Sequence, residues 1–494
     1  MNAPNSKHNS EPTISTQGGY PMRALAVLTA AVLLVNYVQT MVLPGIPTIE
    51  KDLSTTVTIG SWIVSVVLLV GAAVSPILGK LGDLYGKKKL IVVSLGFYTI
   101  GVSIAGFANS ICLLIFARAI QGVGLAILPL SLAWVTDIFP KDELTTAQGV
   151  IAGAAAISVA LGLVLGAYVI QDFGWQFSFR TVAILSVILF VIVIAVLKRD
   201  VSSIKCKIDY VGAILLSVGV ALVLLYITEG STLGWFSTEQ LIFLITGLAL
   251  NVSFFYFETK TDEPLIPLNL LKIRNVLVAN LVTIITGLIT FLLFFAIIEY
   301  LELPAPYGLG FDVIATGLTL VPGTIVMFIL GPIVGRILIK AGPKPIFVAG
   351  SSLSILGFVL LIVSRGTATD VTIGVIFGFA AIVSLLVPVV NTISLYLPKE
   401  SVTVGQGFNL TIRNIGSALG PVITTTILAT YTNQITRVID GKQVVIATLP
   451  STTAFNLVFA IGIALAVVVI VLSMAFKNGT FKNDNGNLGK ETTV

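Results

Sequence analysis

Long apolar runs separated by short polar links dominate the chain. There are fourteen such runs of about 20 residues each, and at roughly 1.5 Å per residue a helix of that length crosses the ~30 Å hydrocarbon core of a bilayer. The pattern therefore predicts an all-α integral membrane protein with fourteen transmembrane helices. These helices are expected to cover approximately residues 23–44, 59–79, 90–108, 111–136, 146–170, 180–197, 209–228, 239–257, 275–298, 313–338, 345–364, 371–396, 408–430 and 453–476.

The link between the second and third runs has a pattern that returns later in the chain. It reads GKLGDLYGKKK from Gly79 to Lys89, with glycines that allow helix ends to approach closely and lysines that favour a solvated position. The spacing from Gly79 to Gly86 recurs from Gly335 to Gly342, at an offset of 256 residues (335 − 79). A topogenic loop would account for the lysines alone, whereas the repetition predicts a duplicated membrane domain.

The composition and charge of the chain exclude several other classes of protein. With 56% apolar residues, 10% charged residues and a mean hydropathy of +1.03, a soluble protein of 494 residues would lack polar surface. The net charge of +5 does not indicate nucleic-acid binding, because the basic residues are scattered among the links. The one histidine, His8, lies in the polar N-terminal tail, so no histidine metal site is expected. We expect no cofactor, no metal and no enzymatic activity.

The basic residues predict the orientation of the chain in the membrane. If the N-terminus is cytoplasmic, most of the 28 Lys and Arg residues fall in cytoplasmic links, as the positive-inside rule requires. Both termini should therefore be cytoplasmic, in a multi-pass protein of the plasma membrane. The two cysteines, Cys112 and Cys206, fall at opposite faces in this topology and should not pair. The exceptions on the outer side are Lys51, Arg180, Arg365, Arg437 and Lys442.

The repeat divides the chain into two bundles of six helices with an inserted pair between them. We expect a disordered cytoplasmic tail at 1–22 and a first bundle at 23–197. The inserted helices with their cytoplasmic linkers occupy 198–274, the second bundle occupies 275–476, and a second disordered tail occupies 477–494. The link after the thirteenth run has Asp440-Gly441 between two apolar stretches, which fits a small β-hairpin or a disordered loop equally well.

The link from Gly79 to Lys89 resembles the signature loop of the major facilitator superfamily, which joins that family's second and third helices. The resemblance implies a major-facilitator-type fold, in which two six-helix repeats enclose one cavity. DYVG at 209–212, GW at 234–235 and PLIPL at 264–268 resemble the fourteen-helix drug:proton antiporter branch. Within this resemblance the link is expected to act as a cytoplasmic latch between the halves. The residues assigned to the latch are Gly79, Gly82, Asp83, Gly86, Lys87, Lys88, Arg336 and Lys344; Ile339 stands where a second Asp83 would be.

Two arginines inside apolar runs are candidates for coupling. Arg118 in the fourth run is followed by Gln121, and this string resembles the family's fourth-helix motif. Because a cation in the membrane is costly unless it faces a cavity or a partner, Arg118 and Arg413 are functional candidates. The alternative for each is an arginine held by helix carbonyls or extended to the interface. The fifth run has Gly153, Gly162 and Gly166, which resemble the family's antiporter motif, but Leu163 stands in place of the family's proline, so ordinary small-residue packing is the alternative.

Proton coupling requires a group that titrates, and the first run contains no acid. The branch that the sequence resembles commonly has an acid there. Glu299, near the outer end of the ninth run, is the best remaining proton-binding candidate, with a solvated helix end as the alternative.

Polar and aromatic residues at the expected depth of the cavity are candidates for substrate binding, because an amide in a membrane helix must find a hydrogen-bond partner. The alternative for the aromatic residues is anchoring at the membrane interface. The candidates are Asn36, Gln39, Trp62, Trp134, Asn280 and Asn391.

The sequence therefore favours a secondary transporter, expected to be a monomer, that exports amphipathic or drug-like small molecules by alternating access with proton antiport. An organic-anion transporter or facilitator without proton coupling is the first alternative, prompted by the two intramembrane arginines and the missing acid. A receptor or scaffold on the same fold is the second, although no large soluble domain accompanies the helices. A GxxxxGK[ST] loop is absent, so ATP is not expected to supply the energy.

Overall fold

The fold is described here from a computed structural model of the chain, which places residues 20–139, 141–197, 210–261, 271–397, 402–439 and 442–476. Most of both predicted tails and most of the linkers around the inserted pair lie outside the described residues. The helices are α1 Tyr20–Met41, α2 Ile46–Asp52, α3 Val57–Gly60, α4 Trp62–Tyr85, α5 Lys87–Ala105, α6 Ile111–Gly122, α7 Ile127–Ile138, α8 Lys141–Leu161, α9 Ala167–Phe173, α10 Trp175–Val196, α11 Tyr210–Leu233, α12 Thr238–Glu258, α13 Arg274–Glu302, α14 Val313–Ala341, α15 Pro343–Val363, α16 Ala368–Tyr396, α17 Val402–Thr430 and α18 Thr452–Met474.

Short irregular helices connect several of these elements. Leu43–Gly45 joins α1 to α2 and Val123–Ala126 joins α6 to α7, both as 3₁₀ turns, and Gly162–Gly166 joins α8 to α9 as a π-helix. Such a turn divides one predicted apolar run into two helices. The fourth run, for example, contains both α6 and α7.

The all-helical membrane fold predicted from the apolar runs is confirmed. Twelve helical stretches of the described chain are long and apolar enough to cross a membrane. The two predicted runs outside that set also form helices, α11 and α17. The apolar part of α11 is shorter, Ile214–Ile227, and α17 carries Arg413 among several amides and hydroxyls. The number of fourteen spans therefore stays a prediction.

The two halves of the chain pack their helices in the same order. In the first half α1 contacts α8 and α10, α6 contacts α4 and α5, and α5 contacts α10. In the second half α13 contacts α17 and α18, α16 contacts α14 and α15, and α15 contacts α18. The correspondence of the six helices in each set is what a duplicated bundle requires. The inserted helix α11 packs on α4 and α17, and α12 packs on α11.

The repeated link has the same geometry in both copies. Gly86 ends α4 with φ 97° and its N–H donates to the Gly82 carbonyl; Gly342 ends α14 with φ 77° and its N–H donates to the Leu338 carbonyl. A positive φ is strained for any residue with a Cβ, so these two glycines are required by the backbone. Gly79 lies inside α4 with no atom within 4 Å of a Cβ built on it, so no close approach of helices explains that glycine.

Both links lie at one end of the bundle. The end of α4 packs near the start of α17 through Ile77 and Phe408, and the starts of α13 and α17 also pack together. Phe347, close to the second link, packs with Val276 at the start of α13 and with Phe476 after α18. We call this end, with Lys87 and Lys344, the lysine end, and the opposite end, with Glu50 and Glu299, the glutamate end.

A two-stranded antiparallel hairpin follows α17 at the glutamate end. Its strands are β1 Thr432–Ile439 and β2 Lys442–Pro450, with an irregularity in register between Ile435 and Thr436. Of the two interpretations left open for this link, the hairpin is the one that the structure shows.

The two glycine positions of the first link predict opposite effects on stability. Gly86→Ala is expected to lower the free energy of unfolding by roughly 1–3 kcal/mol, because alanine must adopt a sparsely populated backbone conformation. Gly79→Ala, in a helix and facing open space, should leave it unchanged or raise it slightly. Thermal unfolding of the two purified variants in detergent measures the difference; equal midpoints would show that the backbone at Gly86 is not the constraint.

Candidate functional site

A central cavity lies between the two halves, about midway along the bundle. Its volume is about 220 Å³, and both halves contribute to its wall. Pockets that bind drug-sized molecules usually have a volume of about 300–1,000 Å³. The two halves must therefore move apart before a molecule of that size fits. Most of the wall is apolar. It includes Val32, Val35, Leu43, Leu68, Phe291, Phe294, Phe379 and Leu386.

The polar part of the wall comes from two helices that face each other across the cavity. From α1 come Asn36, Gln39 and Thr40, and from α17 come Arg413, Asn414 and Ser417, with Thr290 of α13 beside them. Apolar walls with a few polar groups are typical of sites for small amphipathic molecules.

Among the described residues that line this cavity, Arg413 carries a charge, and none of the others is a carboxylate. No hydrogen bond joins its guanidinium to another side chain or carbonyl of the described chain. Of the two interpretations of Arg413, the structure therefore favours the one that places it at a cavity over extension to the interface. The cavity carries a positive charge that can act on a ligand.

Arg118 lies directly behind the cavity wall. Its side chain is 1% exposed and donates from Nε to the Ile63 carbonyl at 2.8 Å, from Nη1 to Gln121 Oε1 at 2.8 Å, and from Nη2 to Gln39 Oε1 at 2.9 Å. These bonds join α6 to α4 and α1 and satisfy a buried cation with neutral acceptors. Because Gln39 also lines the cavity, this network links Arg118 to the ligand-facing wall.

Four of the six residues predicted to bind substrate lie elsewhere. Trp134 is fully buried, with its ring 6.2 Å from that of Tyr20. Asn280 is buried between α13 and α17, where it accepts from Asn409 Nδ2 at 3.0 Å, and Asn391 is exposed and bonds the carbonyl of Val387. Trp62 begins α4 at the glutamate end. These four lie outside the wall of this cavity, because depth along a helix does not specify the face on which a side chain lies, and their role in substrate binding stays a prediction.

Several cavity residues were not singled out by the sequence analysis. Phe291, Phe294 and Phe379 lie in continuous apolar runs, where nothing distinguishes a cavity-facing ring from a lipid-facing one. Asn414 and Ser417 had a usable signal, since Gly416 and Gly420 mark the face of α17 that packs on α13. A Cβ at Gly416 would clash with the Ile284 carbonyl, and one at Gly420 would lie 2.8 Å from the Leu292 nitrogen.

Two of the fifth-run glycines also serve close packing. A Cβ at Gly162 would clash with Thr40 Oγ1, and one at Gly166 would clash with Met41. The π-helix that contains both glycines therefore lies directly on α1, one turn from Gln39. This supports the small-residue explanation for Gly162 and Gly166, whereas a Cβ at Gly153 would have no atom within 4 Å and close packing does not explain that glycine.

The described contacts of Lys87 and Lys88 lie within their own half. Lys87 Nζ lies 2.5 Å from Asp137 Oδ2 and also donates to the Ala133 carbonyl, and Lys88 Nζ donates to the carbonyls of Ile194 and Leu197. These contacts tie α5 to the ends of α7 and α10. The Asp83 side chain lies outside the described part of the structure. In the second copy, Arg336 is exposed, and no hydrogen bond connects Arg336 or Lys344 to another described residue.

The halves are joined by hydrogen bonds from mid-bundle to the glutamate end. Ser65 Oγ donates to the Ala418 carbonyl at 2.9 Å, Gln171 Nε2 donates to Asp312 Oδ2 at 3.1 Å, and the Ile314 N–H donates to Gln171 Oε1 at 2.9 Å. In the described chain, no hydrogen bond between the halves lies at the lysine end. The cavity is therefore closed toward the glutamate end.

Glu299 is buried and does not occupy a solvated helix end, which was the alternative to proton binding. Its side chain is 6% exposed, in the last turns of α13. It lies at the glutamate end and not on the wall of the cavity.

Two similarly packed helical bundles around one central cavity, closed at one end, define a membrane transport protein. The family model described as the Major Facilitator Superfamily matches residues 28–421. The chain therefore belongs to the Major Facilitator Superfamily, and the family resemblance stated from the sequence is confirmed.

Relatives in bacteria include proteins named for multidrug resistance. The chain is 27% identical over 426 residues to an uncharacterized MFS-type transporter of Bacillus subtilis (strain 168), YhcA, covering 84% of this chain and 77% of that one. It is 26% identical to the multidrug resistance protein Stp of Mycobacterium tuberculosis (strain CDC 1551 / Oshkosh), covering 71% of this chain and 65% of Stp. It is also 26% identical to the multidrug export protein EmrB of Escherichia coli (strain K12), covering 63% and 62%.

Solved structures of membrane transporters share the fold. An auto-inhibited POT family peptide transporter superposes with a TM-score of 0.63 at 14% identity, covering 94% of this chain and 99% of the other. A point mutant of the nucleoside transporter NupG superposes with a TM-score of 0.58, also at 14% identity, covering 91% of this chain and 100% of the other. At this identity the likeness concerns the fold and not the substrate.

The Arg118 network predicts that Gln39 contributes to stability. Gln39→Leu should lower the free energy of unfolding by about 1–3 kcal/mol, because Nη2 of a buried guanidinium loses its acceptor. Asn36→Leu is the matched control, since the Asn36 amide donates to the Val32 carbonyl of its own helix and should cost less than about 1 kcal/mol. Thermal unfolding in detergent measures both; an equal loss in the two variants would contradict a stabilising role for the Gln39–Arg118 bond.

Proposed function

We propose that this protein is a secondary active transporter that exports amphipathic or drug-like small molecules across the plasma membrane by alternating access with proton antiport. The observation that carries the proposal is the central cavity that is enclosed by both halves and closed at the glutamate end. A site between two bundles that separate at one end at a time can be exposed to each side of the membrane in turn. The names of Stp and EmrB support a drug-like class of substrate.

The proposed orientation has the lysine end and both termini in the cytoplasm. The concentration of basic residues in the links at that end supports it. With this orientation, closure at the glutamate end is closure toward the outside, so the described conformation is occluded or faces inward. The corresponding packing of α1, α4, α5, α6, α8 and α10 with α13 to α18 supports the division into bundles at 23–197 and 275–476.

Proton-driven export predicts uptake of a lipophilic fluorescent compound into inside-out proteoliposomes with an acidic interior. A protonophore should abolish the uptake, because it removes the gradient that supplies the free energy. Arg118→Ala should lower the initial rate by tenfold or more, because loss of the guanidinium leaves Gln39 and Gln121 without their shared donor. Uptake that persists unchanged with protonophore would exclude proton antiport and leave facilitated transport.

A second candidate is transport of organic anions, and one specific observation favours it. Arg413 lines the cavity without a carboxylate beside it, so an anionic group bound there would gain a charge-assisted hydrogen bond that a cation could not.

A neutral substrate and its carboxylate analogue distinguish the two candidates. With anion transport, Arg413→Gln should weaken binding of the carboxylate roughly tenfold or more, since a hydrogen bond to a charged group contributes about 1.5–3 kcal/mol, and should change binding of the neutral compound little. Arg336→Gln is the matched control, because Arg336 is exposed at the lysine end. Competition binding to the purified protein gives both affinities; an equal loss for the two compounds would argue against anion recognition by Arg413.

A further inference from the structure

Three carboxyl groups from the two halves interact electrostatically at the glutamate end. Glu50 belongs to α2 in the first half, and Glu299 and Glu302 belong to the last turn of α13 in the second. The carboxyl group of Glu50 is close enough to interact electrostatically with both Glu299 and Glu302. We call these three residues the carboxyl cluster. It is separate from the cavity, whose wall includes none of them.

The cluster is withdrawn from water and is satisfied only in part by other groups, Thr316 of α14 being a hydrogen-bond partner of Glu302. Glu50 and Glu299 are each 6% exposed. One carboxyl oxygen of Glu50, Glu299 and Glu302 is completely buried, and each of these oxygens lacks a hydrogen-bond partner among the described residues. Gly60 of α3 lies against the Glu50 side chain so closely that a Cβ there would clash with Oε1.

The charged groups around the cluster do not neutralise it. Asp312 at the start of α14 interacts with Glu302 and adds to the negative charge. Lys51, next to Glu50, is exposed. Arg365 stacks on the ring of Tyr300 and donates to Asn456 Oδ1 at 2.7 Å, so it is engaged on another face of α13. Asp52 is exposed and accepts from Trp175, and α3 and residues 414–430 of α17 contain no ionisable side chain.

Three ionised carboxylates cannot occupy this position at low cost. An unpaired buried charge costs several kcal/mol, and like charges at close range add repulsion. A neutral carboxyl group in the same place keeps a proton and avoids both costs. No group of His, Cys, Asp or Glu side chains in the described chain has the geometry to hold a metal ion, so a proton is the cation that fits.

We infer that Glu50, Glu299 and Glu302 form a proton-binding site whose protonation keeps the two halves together at the glutamate end. When the halves separate there, water reaches the three carboxyl groups and they ionise; when the groups bind protons again, the halves can close. Protons are thus released to, and taken up again from, the side to which the glutamate end opens, so the site makes closure depend on the pH of that side and moves no net proton across the membrane. The inference rests on the alternating access proposed above.

The equilibrium between the closed and open states of the glutamate end depends on pH. The closed state binds more protons than the open state, so a rise in pH favours opening and a fall favours closure. Each proton released on opening changes the ratio of closed to open molecules by up to about tenfold per pH unit.

Spin-label distances across the glutamate end test the inference on the full chain in liposomes. Asn109 and Thr369 are exposed residues on the two halves at that end, and both are changed to cysteine with Cys112→Ser and Cys206→Ser in the background. In the otherwise unchanged protein, the fraction with the long, open distance should increase at least tenfold between pH 5 and pH 9. The triple variant Glu50→Gln, Glu299→Gln and Glu302→Gln should stay closed over this range, because amides do not ionise.

The matched control is Glu239→Gln, which removes an exposed carboxylate in the first turn of α12 and should leave the pH response unchanged. Each single glutamine variant of the cluster should reduce the response in part, which shows that the protein is folded and still opens. An unchanged pH response in the triple variant would overturn the inference. An open fraction that responds to substrate but not to pH would also overturn it while alternating access stands, and a distance that never changes would contradict alternating access itself.

Discussion

Polar groups inside a membrane protein must find their partners within the protein, because hydrocarbon offers none. This requirement accounts for the polar contacts between helices. Arg118 is held by one carbonyl and two amide oxygens from three helices, and Asn280 is held by Asn409 across the α13–α17 contact. Each such bond fixes the rotation of a helix about its axis, which apolar packing against similar side chains specifies only weakly. Polar residues thus decide which faces of the helices line the cavity.

Both halves of the duplicated bundle must satisfy their buried polar groups, and they do so with different side chains. Gly86 and Gly342 give the two links the same turn, and the helices of each half pack in the same order. The side chains on that shared frame have diverged. The first half buries Arg118 behind the wall of the cavity, whereas the second half exposes Arg413 to it. One half therefore supplies a rigid network and the other a charge available to a ligand.

The two ends of the bundle differ in how they are held. At the lysine end, the bonds of Lys87 and Lys88 tie helices together inside the first half. At the glutamate end, Gln171 joins the two halves through Asp312 and the start of α14. The proton-binding role that we propose for the carboxyl cluster belongs to this end. The charge that we propose to act on a ligand, that of Arg413, lies at the cavity.

The sequence by itself determined the helical membrane fold and predicted the duplication, because these depend on local periodicity and spacing. It also identified Gln39, Arg118 and Arg413, since an intramembrane charge or amide is conspicuous among apolar residues. Tertiary structure alone decided that Trp134 and Asn280 lie outside the cavity wall, and that Glu50 lies near enough to Glu299 and Glu302 to interact with them electrostatically. Glu50 is separated from Glu299 by most of the first half and the inserted pair, and no local pattern encodes contact across that distance. Helix rotation and the approach of the two halves settle such contacts, and both arise from packing among many side chains at once.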